Sequence, residues 1–273
     1  ILLGQLSNCS SLREIESIVK FHANEHYHLG LRGNIARSTL ANANESRDWR
    51  IYKDICLDLI SNLPMFEKVE TENLVKRYGA FTALSGLNMN VPKGSIYGFI
   101  GKNGAGKTTL IRLICGLQKP TSGGFSVYGI KNSDKNIVKS RKRMGAVVET
   151  PSIYLNMTAE ENLKQQYLVL GLPNYDGLKE LLALVGLSDT GKKKAKNFSL
   201  GMRQRLGIAI ALAGNPDFLV LDEPINGLDP QGIVEIRELV LKLNREKNIT
   251  FLISSHILDE LSRIATYYGF IDH

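Results

Sequence analysis

Gly101-Lys-Asn-Gly-Ala-Gly-Lys107-Thr108-Thr109 decides how this chain folds. The stretch fits the pattern G-x-x-x-x-G-K-[ST], and its flanks fit too. The apolar run Ser95 to Ile100 reads as a strand before it, and Leu110 to Cys115, closed by Gly116, reads as a helix after it. Glycines 101, 104 and 106 let the backbone turn its N–H groups inward around phosphate oxygens, and the helix N-terminus adds a partial positive charge worth about 1 kcal/mol. Lys107 is placed to bridge terminal phosphates, and Thr108 to offer its hydroxyl to Mg²⁺.

Further apolar, β-branched runs at Met144 to Val148, Phe218 to Leu221, Thr250 to Ile253 and Tyr267 to Ile271 have the lengths of buried strands, and helical stretches separate most of them. This alternation predicts an α/β fold with a largely parallel sheet. From Pro151 to Pro216 the strand pattern stops. Thr158-Ala-Glu-Glu161 is a capping box opening a helix towards Leu170, Leu178 to Val185 supplies a second helix and Gly201 to Ala213 a third, so an all-helical insertion divides the core. Beyond it, Pro230 behind Asp229 starts a helix with Ile233, Ile236, Val240 and Leu243 on one face.

Phe218-Leu-Val-Leu-Asp222-Glu223-Pro224 is a strand ending in two carboxylates. At the carboxyl edge of a parallel sheet it faces the same crevice as the glycine loop. Asp222 suits a water-mediated hold on Mg²⁺, and Glu223 suits polarisation of an attacking water. Taken alone the pair reads equally well as an acidic cap before Pro224.

Length and composition bound the rest. At 273 residues, with 43% hydrophobic and 22% charged, the chain has ordinary globular proportions and excludes disordered, collagen-like and coiled-coil classes. The longest nearly uncharged apolar stretch, Leu206 to Gly214, falls far short of the ~20 residues that span a bilayer. No basic n-region with an apolar core follows Ile1, so no secretory signal is expected, and the absence of an initiator Met points to an incomplete or processed start. Cys9, Cys56 and Cys115 form no disulfide framework or metal pair, which fits a reducing compartment. Residues 1 to 64 carry seven basic and seven acidic side chains, so the whole net charge of +7 lies beyond them. That shift puts a domain boundary near Pro64-Met65, giving domains 1–64 and 65–273. The later excess suits a phosphate-bearing partner without choosing among nucleotide, nucleic acid and lipid.

With these elements placed, residues 65 to 273 resemble the nucleotide-binding domain of ATP-binding cassette transporters. Phe198-Ser-Leu-Gly-Met-Arg-Gln-Arg205 is similar to the family signature, Asn226-Gly-Leu-Asp229 to its D-loop, and Ile253-Ser-Ser-His256 to its switch histidine, while Tyr78 stands where the family stacks an aromatic ring on adenine. The resemblance implies a P-loop NTPase core with an antiparallel β edge beside the mostly parallel sheet. It implies ATP and Mg²⁺ as ligands, with Gly101, Asn103, Gly104, Ala105, Gly106, Lys107, Thr108 and Thr109 around the phosphates, and Thr108, Asp222 and Glu149 towards the metal. Glu223, His256 and Glu149 are its implied catalytic set. Ser199, Gly201, Gln204 and Asp229 are implied to close over a nucleotide held by the second subunit of a head-to-tail dimer. Residue chemistry agrees for Ser199 and Gly201, whose hydroxyl and N–H at a helix start make an anion site.

Two departures narrow the likeness. Leu200 and Met202 replace the commoner signature residues, a form similar to exporter subunits of the bacitracin-resistance or lantibiotic-immunity type. Glu149 stands where the family usually has glutamine, adding a negative charge beside the phosphates and an expected change in metal dependence. The family docks a separate membrane permease around Pro151 to Leu163, which makes Ile153 and Tyr154 candidate contacts or core residues, and implies a cytoplasmic subunit held peripherally at the membrane. The lysines of 191–196 and 139–143 read as solvated faces. The ending at His273 suggests a missing carboxyl-terminal portion.

Residues 1–64 read as a small helical appendage, with helices at Leu12 to Lys20, near Ser38, and at Trp49 to Ile60. Segments such as Arg37-Ser-Thr-Leu-Ala-Asn-Ala-Asn-Glu-Ser-Arg-Asp-Trp-Arg-Ile-Tyr52 resemble the N-terminal segment of insertion-sequence transposases. Nucleic acid is a partner for this segment only, and its zero net charge weakens that reading. Two alternatives to an exporter ATPase stay open: a chromosome-maintenance or DNA-repair ATPase, and a DNA-binding transposase fragment. The first needs a long coiled coil, yet only 92 positions separate Lys107 from Ser199 and no sustained heptads occur.

Overall fold

The computed structural model describes residues 67–272, within a unit running from Phe66 to His273. The helices expected in 1–64, the transposase likeness and the nucleic-acid possibility fall outside the described residues.

Strands β1 (Val69–Tyr78) and β2 (Phe81–Val91) form an antiparallel hairpin, β3 (Ile96–Gly101) leads through the glycine loop into helix α1 (Lys107–Ile114), and β4 (Ser122–Val127) pairs back on β1 and with the short β5 (Ile130–Lys131). Helix α2 (Ile137–Arg141) precedes β6 (Met144–Val147). The insertion then runs as α3 (Ala159–Val169), α4 (Leu178–Leu184) and α5 (Leu200–Leu212). After it come β7 (Phe218–Asp222), α6 (Pro230–Lys247), β8 (Thr250–Ser255), α7 (Leu258–Ser262) and β9 (Tyr267–Ile271).

The strands make two sheets. One is antiparallel, in the order β2-β1-β4-β5, and the other has five parallel strands in the order β6-β7-β8-β3-β9. Every residue of β7 and β8 is buried, which is why both read as unbroken apolar runs rather than alternating ones. Alternate side chains still serve opposite faces. Phe218 and Val220 join α1 and the antiparallel sheet in one core, whereas Leu219 and Leu221 join α5, α6 and the helical insertion in another. β9 corrects one expectation. It forms where the apolar run predicts, but as the sheet's edge, paired only with β3, it leaves Tyr267, Tyr268 and Phe270 exposed.

Local chemistry accounts for the helix limits. The capping box closes from both sides, with Glu161 N–H donating to Thr158 Oγ1 at 3.1 Å and Thr158 N–H to Glu161 Oε2 at 2.7 Å. Ser199 caps α5, and Asp229 caps α6 ahead of its first-turn proline. Helix α1 stops in a Schellman turn, where Leu117 N–H reaches Arg112 O at 2.9 Å and Gly116 N–H reaches Leu113 O at 3.0 Å. Helix α5 is seated tightly at two points: a Cβ on Gly145 of β6 would lie 2.2 Å from Ala211 O, and one on Gly207 would lie 2.6 Å from Pro151 Cβ.

Candidate nucleotide site

Four segments leave the carboxyl edge of the parallel sheet side by side: the glycine loop after β3, Glu149 after β6, Asp222 and Glu223 at the end of β7, and His256 after β8. Such a crevice is where open α/β sheets bind ligands.

The glycine loop ends at Gly106, which begins α1 with φ 105, and a Cβ there would fall 2.4 Å from the carbonyl oxygen of Ala83 on β2. Only glycine fits this turn. Helix α1 has no side chain on its first N–H groups and no acid in its first turn, so nothing on the chain opposes an anion at its positive end. Lys107, 5% exposed, arches back over the loop, donating to Gly101 O at 2.6 Å and Lys102 O at 3.0 Å. Its Nζ also lies 3.2 Å from Glu223 Oε1. Ala105 is buried and braces the loop, with its N–H on Lys102 O at 3.2 Å, while Asn103 and Gly104 are exposed and Thr108 and Thr109 half-buried.

Glu223 ties the site together. Its other oxygen is 2.8 Å from His256 Nδ1, and its backbone, turned left-handed at φ 49, donates from N–H to Ser254 Oγ at 2.9 Å. That Ser254 hydroxyl donates in turn to Asp222 Oδ1 at 2.6 Å. Asp222 is 1% exposed, and its second oxygen is buried with no hydrogen-bond partner. A bare carboxylate oxygen in such a place costs about 1–3 kcal/mol unless a cation or a cation's water meets it. That orphaned oxygen of Asp222 is where Mg²⁺ or its water fits. Among the described residues no three acidic, His or Cys side chains converge into a metal cage.

A second group assembles elsewhere. A Cβ on Gly201 would lie 3.9 Å from Leu228 Cδ2 and 4.0 Å from Gly232 Cα, so the capped starts of α5 and α6 stand together and present exposed Ser199 and Asp229. Ser199 Oγ accepts from Met202 N–H at 3.2 Å and Asp229 Oδ1 from Gly232 N–H at 3.1 Å. Gln204 corrects the expectation for this group. One further turn along α5 it points inward, 6% exposed with its Nε2 unpartnered, rather than towards the surface. Tyr78 ends β1 opposite exposed Phe81, its hydroxyl bonded to Gln118. Glu149, with φ 60, forms an ion pair with Arg112 on α1.

The ABC transporter family matches residues 84–226, from the second strand through the phosphate loop, signature and carboxylate pair. The chain belongs to that family. Among relatives of this ABC chain, the bacitracin transport ATP-binding protein BcrA of Bacillus licheniformis is 48% identical over 203 residues, covering 74% of this chain and 66% of the relative. The lantibiotic transport ATP-binding protein SrtF of Streptococcus pyogenes is 43% identical over 203 residues, covering 74% and 86%. A dimeric ATP-binding cassette in a post-hydrolysis state with ADP and Pi superposes with a TM-score of 0.66 at 27% identity, covering 75% of this chain and 94% of that one. The chain thus spans just under two thirds of the bacitracin relative's length. The family match does not reach residues 1–64, where the transposase likeness rests on sequence alone.

Sequence reading missed two members of this ABC site. Ser254, fully buried, holds Asp222 and Glu223 at once, and the signal for it was the serine pair inside Ile253-Ser-Ser-His256. Arg112 pairs with Glu149, and no motif marks it.

Proposed function

We propose that this chain is an Mg²⁺-dependent ATPase subunit of an export-type ABC transporter, of the kind that serves bacitracin or lantibiotic export. The observation that carries the reading is the contact of Glu223 with both Lys107 and His256 at the sheet edge, directly beside the glycine loop. In this reading the N–H groups at the start of α1 and Lys107 hold the β- and γ-phosphates of ATP, and Tyr78 takes the adenine face. Once the γ-phosphate draws Lys107 away, Glu223 is free to accept a proton from the attacking water, and His256 orients both. Thr108 and Asp222 would hold Mg²⁺, whose charge would offset that of the phosphate oxygens when it is bound.

Ser199, Gly201 and Asp229 lie on a separate exposed surface, and we assign them to the nucleotide of a second copy in a head-to-tail dimer. For the separate membrane subunit, the candidate seat is a groove over α3 lined by Ile153, Tyr154, Asn162, Gln166, Val169 and Ile210. Tyr154 and Val169 are 57% and 76% exposed, whereas Ile153 packs partly into the core. Among the described residues no helix is long and apolar enough to cross a membrane. The subunit would accordingly sit on the cytoplasmic face through its permease. A DNA-repair or chromosome-maintenance ATPase is not favoured, since the relatives named above are transport proteins.

The test is Glu223→Gln beside Lys107→Ala. Glu223→Gln should bind ATP, dimerise with it on a sizing column and lose at least ~100-fold in kcat, whereas Lys107→Ala should not bind. Normal turnover by Glu223→Gln would remove Glu223 from the chemistry.

A further inference from the structure

Glu149 is an anomaly in charge. A carboxylate beside a triphosphate repels it, and the repulsion is strong where protein lowers the local dielectric. Its side chain is half exposed, but its backbone has little freedom. It stands two residues beyond β6 in the left-handed region, and two residues before Pro151, which is wedged against Gly207 of α5. The carboxylate has found a partner: Arg112, in the last turn of α1. Arg112 follows Thr108 by four positions, so both project from one face of α1, a turn apart. The phosphate-binding end of the helix and the anchor for Glu149 are therefore opposite ends of a single short rod.

We propose that Arg112 is a positioning residue for Glu149: it holds the carboxylate against the last turn of α1, neutralised and away from the first turn where the phosphates bind. The pair is exposed on both sides, at 37% and 49%, so it contributes little to stability and exchanges readily. That is the property needed of a contact whose work is to place a charge. A glutamine at position 149 would carry no charge and would need no such partner. Arg112 is thus what makes a glutamate tolerable at the junction between core and helical insertion. This inference rests on the nucleotide reading above.

The experiment is a double-mutant cycle on the full chain, reading ATP affinity by equilibrium binding in EDTA, so that neither metal nor turnover enters. Arg112→Ala should weaken metal-free ATP binding about tenfold, because Glu149 is then an uncompensated anion near the phosphates. Arg112→Lys should restore most of the affinity. With Glu149→Gln already present, Arg112→Ala should have no further effect. Unchanged binding in Arg112→Ala would overturn the proposal. So would an equal loss in both backgrounds, which would mean that Arg112 acts on the nucleotide or the fold directly. Failure of the wild-type chain to bind ATP would instead bring down the nucleotide reading, and this inference with it.

Discussion

At the scale of single residues, the site is organised by a side chain that carries no charge. Ser254 receives the Glu223 N–H and donates to Asp222, fixing where two carboxylates leave β7. Register makes this possible, since Asp222 pairs with Ser254 across β7 and β8. Ser254→Ala removes both bonds and leaves Asp222 with neither oxygen bonded. We expect kcat to fall 10- to 100-fold, as supporting contacts around metal-linked carboxylates commonly cost, with ATP affinity in EDTA little changed. Steady-state kinetics beside metal-free binding separates the two; equal loss in both would mean a collapsed site. Glu223 itself was legible from its place after a strand and behind the glycine loop. Its hold on Lys107 was not, because residues 116 positions apart meet only when β3 and β7 lie in one sheet.

At the scale of elements, the helices follow their local signals closely. Thr158, Ser199 and Asp229 cap helices within a residue or two of where their spacing places them, since a cap is a contact between neighbours in sequence. Packing between elements is different. Gly207 sits mid-helix, where glycine is normally a poor choice, yet its bare Cα is what lets Pro151 approach α5. Gly207→Ala should improve helix propensity and still destabilise the protein by about 1–3 kcal/mol, because the new methyl overlaps the Pro151 ring. Urea titration should show a lower midpoint. An unchanged or raised midpoint would mean that the segment at Pro151 gives way to the methyl without cost. β9 shows the converse limit, since an edge strand and a buried one can carry the same apolar sequence.

At the scale of the whole molecule, one polar knot fastens the antiparallel sheet to the parallel one. Asp217, just before β7, accepts from Lys68 Nζ at 2.8 Å, from Arg143 Nη2 at 2.7 Å and from the Tyr128 hydroxyl, and the two cations lie over the Tyr128 ring. Burial pushes the Asp217 carboxyl up, but those three donors outweigh it and hold it at about 2. Burial likewise pulls the Lys68 ammonium down against the pull of Asp217. For a carboxyl lowered on folding, the stabilisation is complete above its unfolded value near 4 and is lost as pH falls through about 2. With Asp217 42% exposed, solvent screening leaves about 1 kcal/mol. Wild type should therefore lose its margin over Asp217→Asn between pH 4 and 2 in thermal unfolding. Parallel curves for the two proteins would dismiss the knot as a stabilising element.

Sequence alone determined what depends on neighbours along the chain: the strand–glycine loop–helix unit, the helix caps, the run of apolar strands and the break into an all-helical insertion. Those are short-range effects of backbone geometry and hydrophobic period, so a linear reading reaches them. It took the folded chain to show that Lys107 rests on Glu223, that Ser254 binds both carboxylates, that Gln204 turns inward and that Arg112 pairs with Glu149. Each of these depends on sheet order and helix seating, which arise from burying two faces of one sheet at once and are not fixed by neighbours along the chain.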